Sequence, residues 1–244
     1  MTQTTHNPFF FSYNTPFETP PFNEIKNEHF EPAFDEGIKR LDSEVQAIAN
    51  DTQPATFENT IIALERSGKL LNKVSLAFFN ILNAEADDEM MEISQRISPK
   101  LSESSNNIFL NEKLFARVKN VYEQKDRLNL STEDTKLLEE TFESFSVRGA
   151  NLNPEDKEKY RKLSTDLSVL SLRFDQNALK DKNRYELLLT DEKDLSGLPE
   201  SICEAAALRA KEKGKKGWLF NLTAPSYIPF MRYADSRKLR ETMY

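Results

Sequence analysis

The 244 residues carry 33 Lys+Arg against 40 Asp+Glu, a formal net charge of −7, with one cysteine, two histidines and six glycines. A single Cys203 excludes a disulfide framework or Cys-rich zinc module, and glycine far below the usual ~7% argues against sandwiches, barrels and Gly-rich phosphate loops. Seventeen phenylalanines argue against disorder, the acidic balance disfavours nucleic acid as a partner, and no apolar run approaches the ~20 residues that cross a membrane.

Met1 to His6 is polar and lacks a basic stretch leading into an apolar one, so it does not read as a signal peptide; a cytoplasmic location is expected. Asn7 to Pro21 holds Pro8, Pro16, Pro20 and Pro21 among Phe9, Phe10, Phe11, Tyr13 and Phe17. Prolines this dense exclude a helix. The rings are too many for a free tail, so residues 1–22 read as an extended arm pinned onto a helical body by its aromatics, with a disordered leader as the alternative.

Helical patterns fill residues 23–183. The first is expected to open at Glu31-Pro32, with Ala33, Phe34, Ile38, Leu41, Val45 and Ile48 as its apolar stripe. Asn50 to Pro54 breaks it. Thr56 caps a second through Ile61, Leu64, Leu71, Val74, Phe78 and Leu82, with a kink or break at Ser67-Gly68. Asp87 caps a third through Met90, Ile93, Ile97 and Leu101, interrupted at Pro99. Asn111 caps a fourth with Leu114, Phe115, Val118, Val121 and Tyr122. Ser131 and Asp134 form a capping box short by one methylene, ahead of Leu137, Leu138, Phe142 and Phe145. Gly149 closes that helix. Asn153-Pro154 then starts a long one, whose Tyr160, Leu163, Leu167, Leu170, Phe174 and Leu179 follow a near-heptad spacing suited to packing on antiparallel neighbours.

Residues 184–244 change texture. Tyr185 to Thr190 and Trp218 to Thr223 read as short strands able to pair, flanking an alanine-rich helix from Pro199 to Lys213. Pro225 and Pro229 punctuate a short turn or helix. Asp235 is expected to cap a last helix, Ser236 to Tyr244, which no closing residue ends; the expectation is an element cut short. The fold class is therefore mainly α: an antiparallel, bundle-like helical lobe with a small two-stranded β element near residues 184–223.

Chemistry is sparse. Neither His6 nor His29 has a second histidine four residues on, so HExxH is absent. GxSxG, GxxxxGK[ST] and GxGxxG are absent as well. His29 beside Glu28 reads as a locally hydrogen-bonded histidine rather than an acid–base pair. Asp87-Asp88 and Asp191-Glu192 suit helix N-termini better than a metal. The basic cluster Arg209 to Lys216 reads as a solvated helix end. No catalytic, cofactor-binding or metal residue is assigned.

Phe22 to Gly37 (FNEIKNEHFEPAFDEG) resembles the N-terminal signature of the thimet oligopeptidase family of zinc metallopeptidases, nearest its bacterial peptidyl-dipeptidase Dcp and oligopeptidase A branch. The resemblance continues in order through Thr56–Gly68, Leu110–Val118, Arg148–Leu152, Leu195–Pro199 and Arg237–Glu241, and so covers the chain from Asn7 to Tyr244. It implies the N-terminal, channel-forming lobe of a longer peptidase, whose HExxH helix and zinc lie on a missing C-terminal catalytic lobe and whose substrates are short peptides. Release of C-terminal dipeptides is the leaning, internal cleavage the alternative. The 244 residues alone are then expected to be inactive. A free-standing helical module that docks partner helices is the competing reading.

Overall fold

The Lys26 amide donates to His29 Nδ1 (3.1 Å), and the His29 amide to the Lys26 carbonyl (3.0 Å). This local cap starts α1 (Asn27–Ala49) one turn before the expected Glu31-Pro32 opening and leaves Pro32 inside the helix. The computed structural model describes residues Asn7–Glu85 and Asp87–Tyr244. They divide into two compact units, Met1–Leu170 and Ser171–Tyr244.

In the first unit the arm forms two proline-led 3₁₀ turns, Pro8–Phe10 and Pro16–Glu18. Its attachment is narrower than the ring count suggests. Phe9 is fully buried, Asn7 Nδ2 donates to the His29 carbonyl (2.7 Å), and Lys73 Nζ donates to the Phe9 and Phe11 carbonyls while lying 3.6 Å from the Tyr13 ring centroid. Phe17, by contrast, is 98% exposed. One buried ring, Phe9, and backbone carbonyls gripped by one lysine, rather than five rings, hold the arm.

After α1, Thr56 Oγ1 accepts from the Asn59 amide (3.1 Å), while Asn59 Oδ1 accepts from the Thr56 amide (2.8 Å). A π-helical turn, Phe57–Ile62, leads into α2 (Ala63–Glu65), and the expected break at Ser67-Gly68 separates it from α3 (Lys69–Glu85). Asp87 caps α4 (Asp88–Phe109), accepting from the Met90 amide at 2.7 Å. The expected interruption at Pro99 does not occur. Met90, Ile93 and Ile97 are buried on one side of α4, and that packing outweighs the one backbone bond a proline removes. Asn111 caps α5 (Glu112–Glu123), accepting from the Leu114 amide at 3.0 Å. Ser131 caps α6 (Thr132–Val147); one methylene shorter than glutamate, the Asp134 carboxylate meets the Ser131 hydroxyl (2.8 Å) instead of its amide.

Helix α1 is the spine of two cores. Its first half packs Phe30, Ala33 and Phe34 with Phe9, Val74, Phe78 and Ile97; its second half packs Val45 and Ile48 with Ile61, Leu114, Val118, Leu138 and Phe145. The last described helix to begin in this unit is α7 (Pro154–Arg184), started by Asn153, whose Oδ1 accepts from the Asp156 amide at 2.9 Å.

In the second unit, β1 (Leu187–Leu189) and β2 (Trp218–Phe220) pair antiparallel, with Leu187 opposite Phe220 and Leu189 opposite Trp218. The expected ribbon is present. With α8 (Glu200–Glu212), α9 (Ala224–Tyr233) and α10 (Arg237–Met243), the strands enclose Leu189, Ala206, Phe220, Phe230, Ala234 and Met243. Asp235 does not cap α10. Ser236 Oγ accepts from the Leu239 amide (3.3 Å), while Asp235 accepts from the Ser196 hydroxyl (2.7 Å) and donates its amide to the Ser196 carbonyl (2.9 Å). That crossing needs Gly197, at φ +86, because a Cβ there would lie 2.2 Å from the Tyr233 carbonyl oxygen. The chain is thus mainly α, with one two-stranded sheet among the described residues.

Candidate functional site

The residues that sequence reading singled out are occupied with local structure. His29 is buried with Nδ1 engaged by the Lys26 amide, and its Nε2 lies 3.9 Å from Glu28 Oε1. His6 lies outside the described residues. Asp87 is a helix cap whose carboxyl is held below the usual range by the Met90 amide and then by the Asn27 side chain. Asp191 accepts from the Lys193 amide (3.0 Å) at the start of a 3₁₀ turn. Cys203 is half-buried on α8, and burial followed by the Glu200 charge pushes its thiol up, away from the reactive thiolate.

The basic cluster is the exposed helix end expected, with Lys211 to Lys216 all exposed, and some of its cations are paired. Arg209 donates to the Leu219 carbonyl (2.8 Å), and Lys213 and Lys215 both bind Glu186, holding its carboxyl low. These cations frame the β-ribbon. Among the described residues no three His, Cys, Asp or Glu side chains converge.

The feature that sequence reading assigned differently is α7. Within the first unit its attachment is polar: Lys157 Nζ pairs with Glu112 (3.0 Å), Arg161 donates to Asn107 Oδ1 (2.9 Å), and Ser164 and Asn106 bond in both directions at 2.8 and 3.1 Å. Asn106 and Lys157 are buried by these contacts. A cleft of about 370 Å³, lined by Pro99, Glu103, Asn106, Arg161, Thr165 and Asp166, opens alongside. The leucines expected to pack on antiparallel neighbours instead face outward: Leu163, Leu167 and Leu170 are 67, 65 and 60% exposed. The heptad spacing correctly marks an apolar seam. What it cannot report is that the lobe binds this helix through other residues.

No family model matches the chain. It is 36% identical to the dipeptidyl carboxypeptidase of Escherichia coli (strain K12) over 242 residues, 99% of this chain and 36% of that protein. It is 30% identical to oligopeptidase A of the same organism over 230 residues, 94% of this chain and 34% of that protein. The chain is a homologue of thimet oligopeptidase family members. The oligopeptidase A of Haemophilus influenzae is a further member, 32% identical over 226 residues. The chain spans about a third of the length of the curated family members it matches. The stretches that carried the family resemblance fall at junctions of the fold. Phe22–Gly37 contains the arm-to-α1 cap, Thr56–Gly68 the reciprocal Thr56–Asn59 cap, and Leu195–Pro199 the Gly197 crossing.

Proposed function

We propose that this chain is the N-terminal, substrate-channel-forming part of a zinc-dependent peptidase that hydrolyses short peptides as a peptidyl-dipeptidase, releasing C-terminal dipeptides. The observation that carries the reading is the 36% identity to a dipeptidyl carboxypeptidase across 99% of the chain. The bare leucine seam of α7 supports it, because a lobe that works against further polypeptide needs such a face. Zinc and the water-activating glutamate belong to the catalytic lobe, outside these 244 residues. The whole enzyme is cytoplasmic, acts on peptides, and has neither nucleic acid nor membrane as a partner.

The test is an assay of the complete gene product on N-terminally blocked peptides, with and without a zinc chelator. Dipeptides leaving stepwise from the C-terminus, abolished by the chelator and restored by zinc, are expected. Internal cleavage alone replaces the dipeptidase reading with an oligopeptidase A-type endopeptidase, which the 30–32% matches favour as the second reading. The 244-residue chain by itself is expected to hydrolyse none of these peptides and to hold no stoichiometric zinc. Equimolar, tightly held zinc by elemental analysis would place metal chemistry in this chain and overturn that assignment.

A further inference from the structure

At 100° per residue, Lys157, Arg161 and Ser164 cluster on one side of α7, and Leu163, Leu167 and Leu170 cluster about 120° round from them. The helix is therefore held to its own unit by polar bonds and shows its leucines to solvent. The leucine spacing of four and then three is the seam of a coiled coil, narrower than the stripe of a helix packed inside a globular core. Such a seam becomes stable to water only when a second helix supplies the holes for its knobs. Along one flank lie Lys159, which bonds to Glu155 and Asp156, and Asp166, which has no ion-pair partner among the described residues. A second copy meets this seam poorly. Antiparallel pairing about its middle sets Asp166 against Asp166, and parallel pairing sets Lys159 against the uncharged Ser164. About two thirds of each relative's length, meanwhile, has no counterpart in these 244 residues.

We propose that the Leu163–Leu167–Leu170 seam of α7 docks an amphipathic helix from the peptidase region that the relatives carry outside the matched third, with a lysine or arginine of that helix opposite Asp166. The proposal rests on the peptidase reading above and adds the face through which the two parts meet. It also gives Asp166 a role that the isolated lobe lacks.

The test joins this chain to the unmatched part of Escherichia coli dipeptidyl carboxypeptidase and follows maleimide labelling of Leu167→Cys, in a Cys203→Ser background, by mass spectrometry of the peptide containing position 167. Labelling is expected to be at least about tenfold slower in the chimera than in the 244-residue chain, as for a thiol moved under an apolar interface. Val147→Cys, on an exposed position of α6 that is 75% exposed, is the reference and should react equally in both. Equal rates at position 167 in a folded chimera overturn the proposal. So does slow, concentration-dependent labelling of the 244-residue chain alone, which would make a second copy the occupant. If the first chimera does not fold cooperatively, the unmatched part of Escherichia coli oligopeptidase A is the second donor, read in the same way. Peptide hydrolysis by the chimera reports separately: activity with an unprotected Leu167 removes only the docking face, and protection without activity removes only the peptidase reading.

Discussion

Asn106 on α4 and Ser164 on α7 exchange two hydrogen bonds, Asn106 Nδ2 donating to Ser164 Oγ at 2.8 Å and Ser164 Oγ to Asn106 Oδ1 at 3.1 Å. With the Arg161–Asn107 bond and the Lys157–Glu112 pair, this exchange fastens the start of a 31-residue helix that carries its leucines on another side. Asn106→Ala removes a buried amide and leaves the Ser164 hydroxyl only the Arg161 carbonyl (3.0 Å), so it should cost about 1–3 kcal/mol in urea unfolding. Ser164→Ala should cost at least as much, because it leaves both polar atoms of the buried Asn106 amide without their partner. The double variant should cost less than the sum of the two, the signature of direct coupling.

Gly37 allows α1 and α3 to touch. A Cβ at this position would lie 3.0 Å from Leu71 Cα and 3.1 Å from Leu71 N, atoms of backbone that cannot rotate away. Gly37→Ala should therefore force the two helices apart and lower stability by about 1–3 kcal/mol, despite alanine's higher helix propensity. A rise in the melting temperature of this variant would refute the close approach.

Tyr13 contributes a different kind of cost. Its hydroxyl is buried with no hydrogen-bond partner, and burial pushes the phenol up to about 12. Tyr13→Phe deletes the stranded oxygen while keeping the ring under Lys73, so stability should be unchanged or higher by up to about 1 kcal/mol. Because the folded value lies above the ordinary 10.0, the neutral phenol is favoured by folding; that preference is complete below pH 10 and disappears as pH rises through about 12. Absorbance titration of phenolate should show one tyrosine lost on going from the parent to the variant, and it should be among the latest to ionise.

Asp87 links a cap to acid sensitivity. The Met90 amide and the Asn27 side chain hold its carboxyl below the ordinary 3.8, so its contribution is present above that value and fades as pH falls through the lower folded value. Asp87→Ser keeps a capping oxygen but no charge. The parent should melt above the variant near neutral pH, with the gap closing only in acid below pH 3.8. A gap that stays constant across that range would assign the effect to something other than the carboxylate.

What could be read from residues alone was the local part. The caps at Thr56, Asp87, Asn111 and Ser131, the break at Ser67-Gly68 and the paired runs around Leu188 and Leu219 each depend on residues a few positions apart or on alternation within one segment. Such interactions form wherever the segment is placed, which is why composition and spacing suffice for them. The family, too, was legible, because its resemblance is carried by ordered stretches of sequence.

Tertiary structure decided the rest. It let Pro99 stay inside α4 because Ile93 and Ile97 are buried beside it, and it chose Phe9 over Phe17 as the ring that anchors the arm. It also decided which side of α7 meets the lobe. Periodicity shows that Leu163, Leu167 and Leu170 share a face, but the bond that turns this face outward joins Ser164 to a residue 58 positions away. An apolar stripe records that a helix needs a neighbour. Which neighbour it has is settled by polar contacts between residues that only the folded chain brings together.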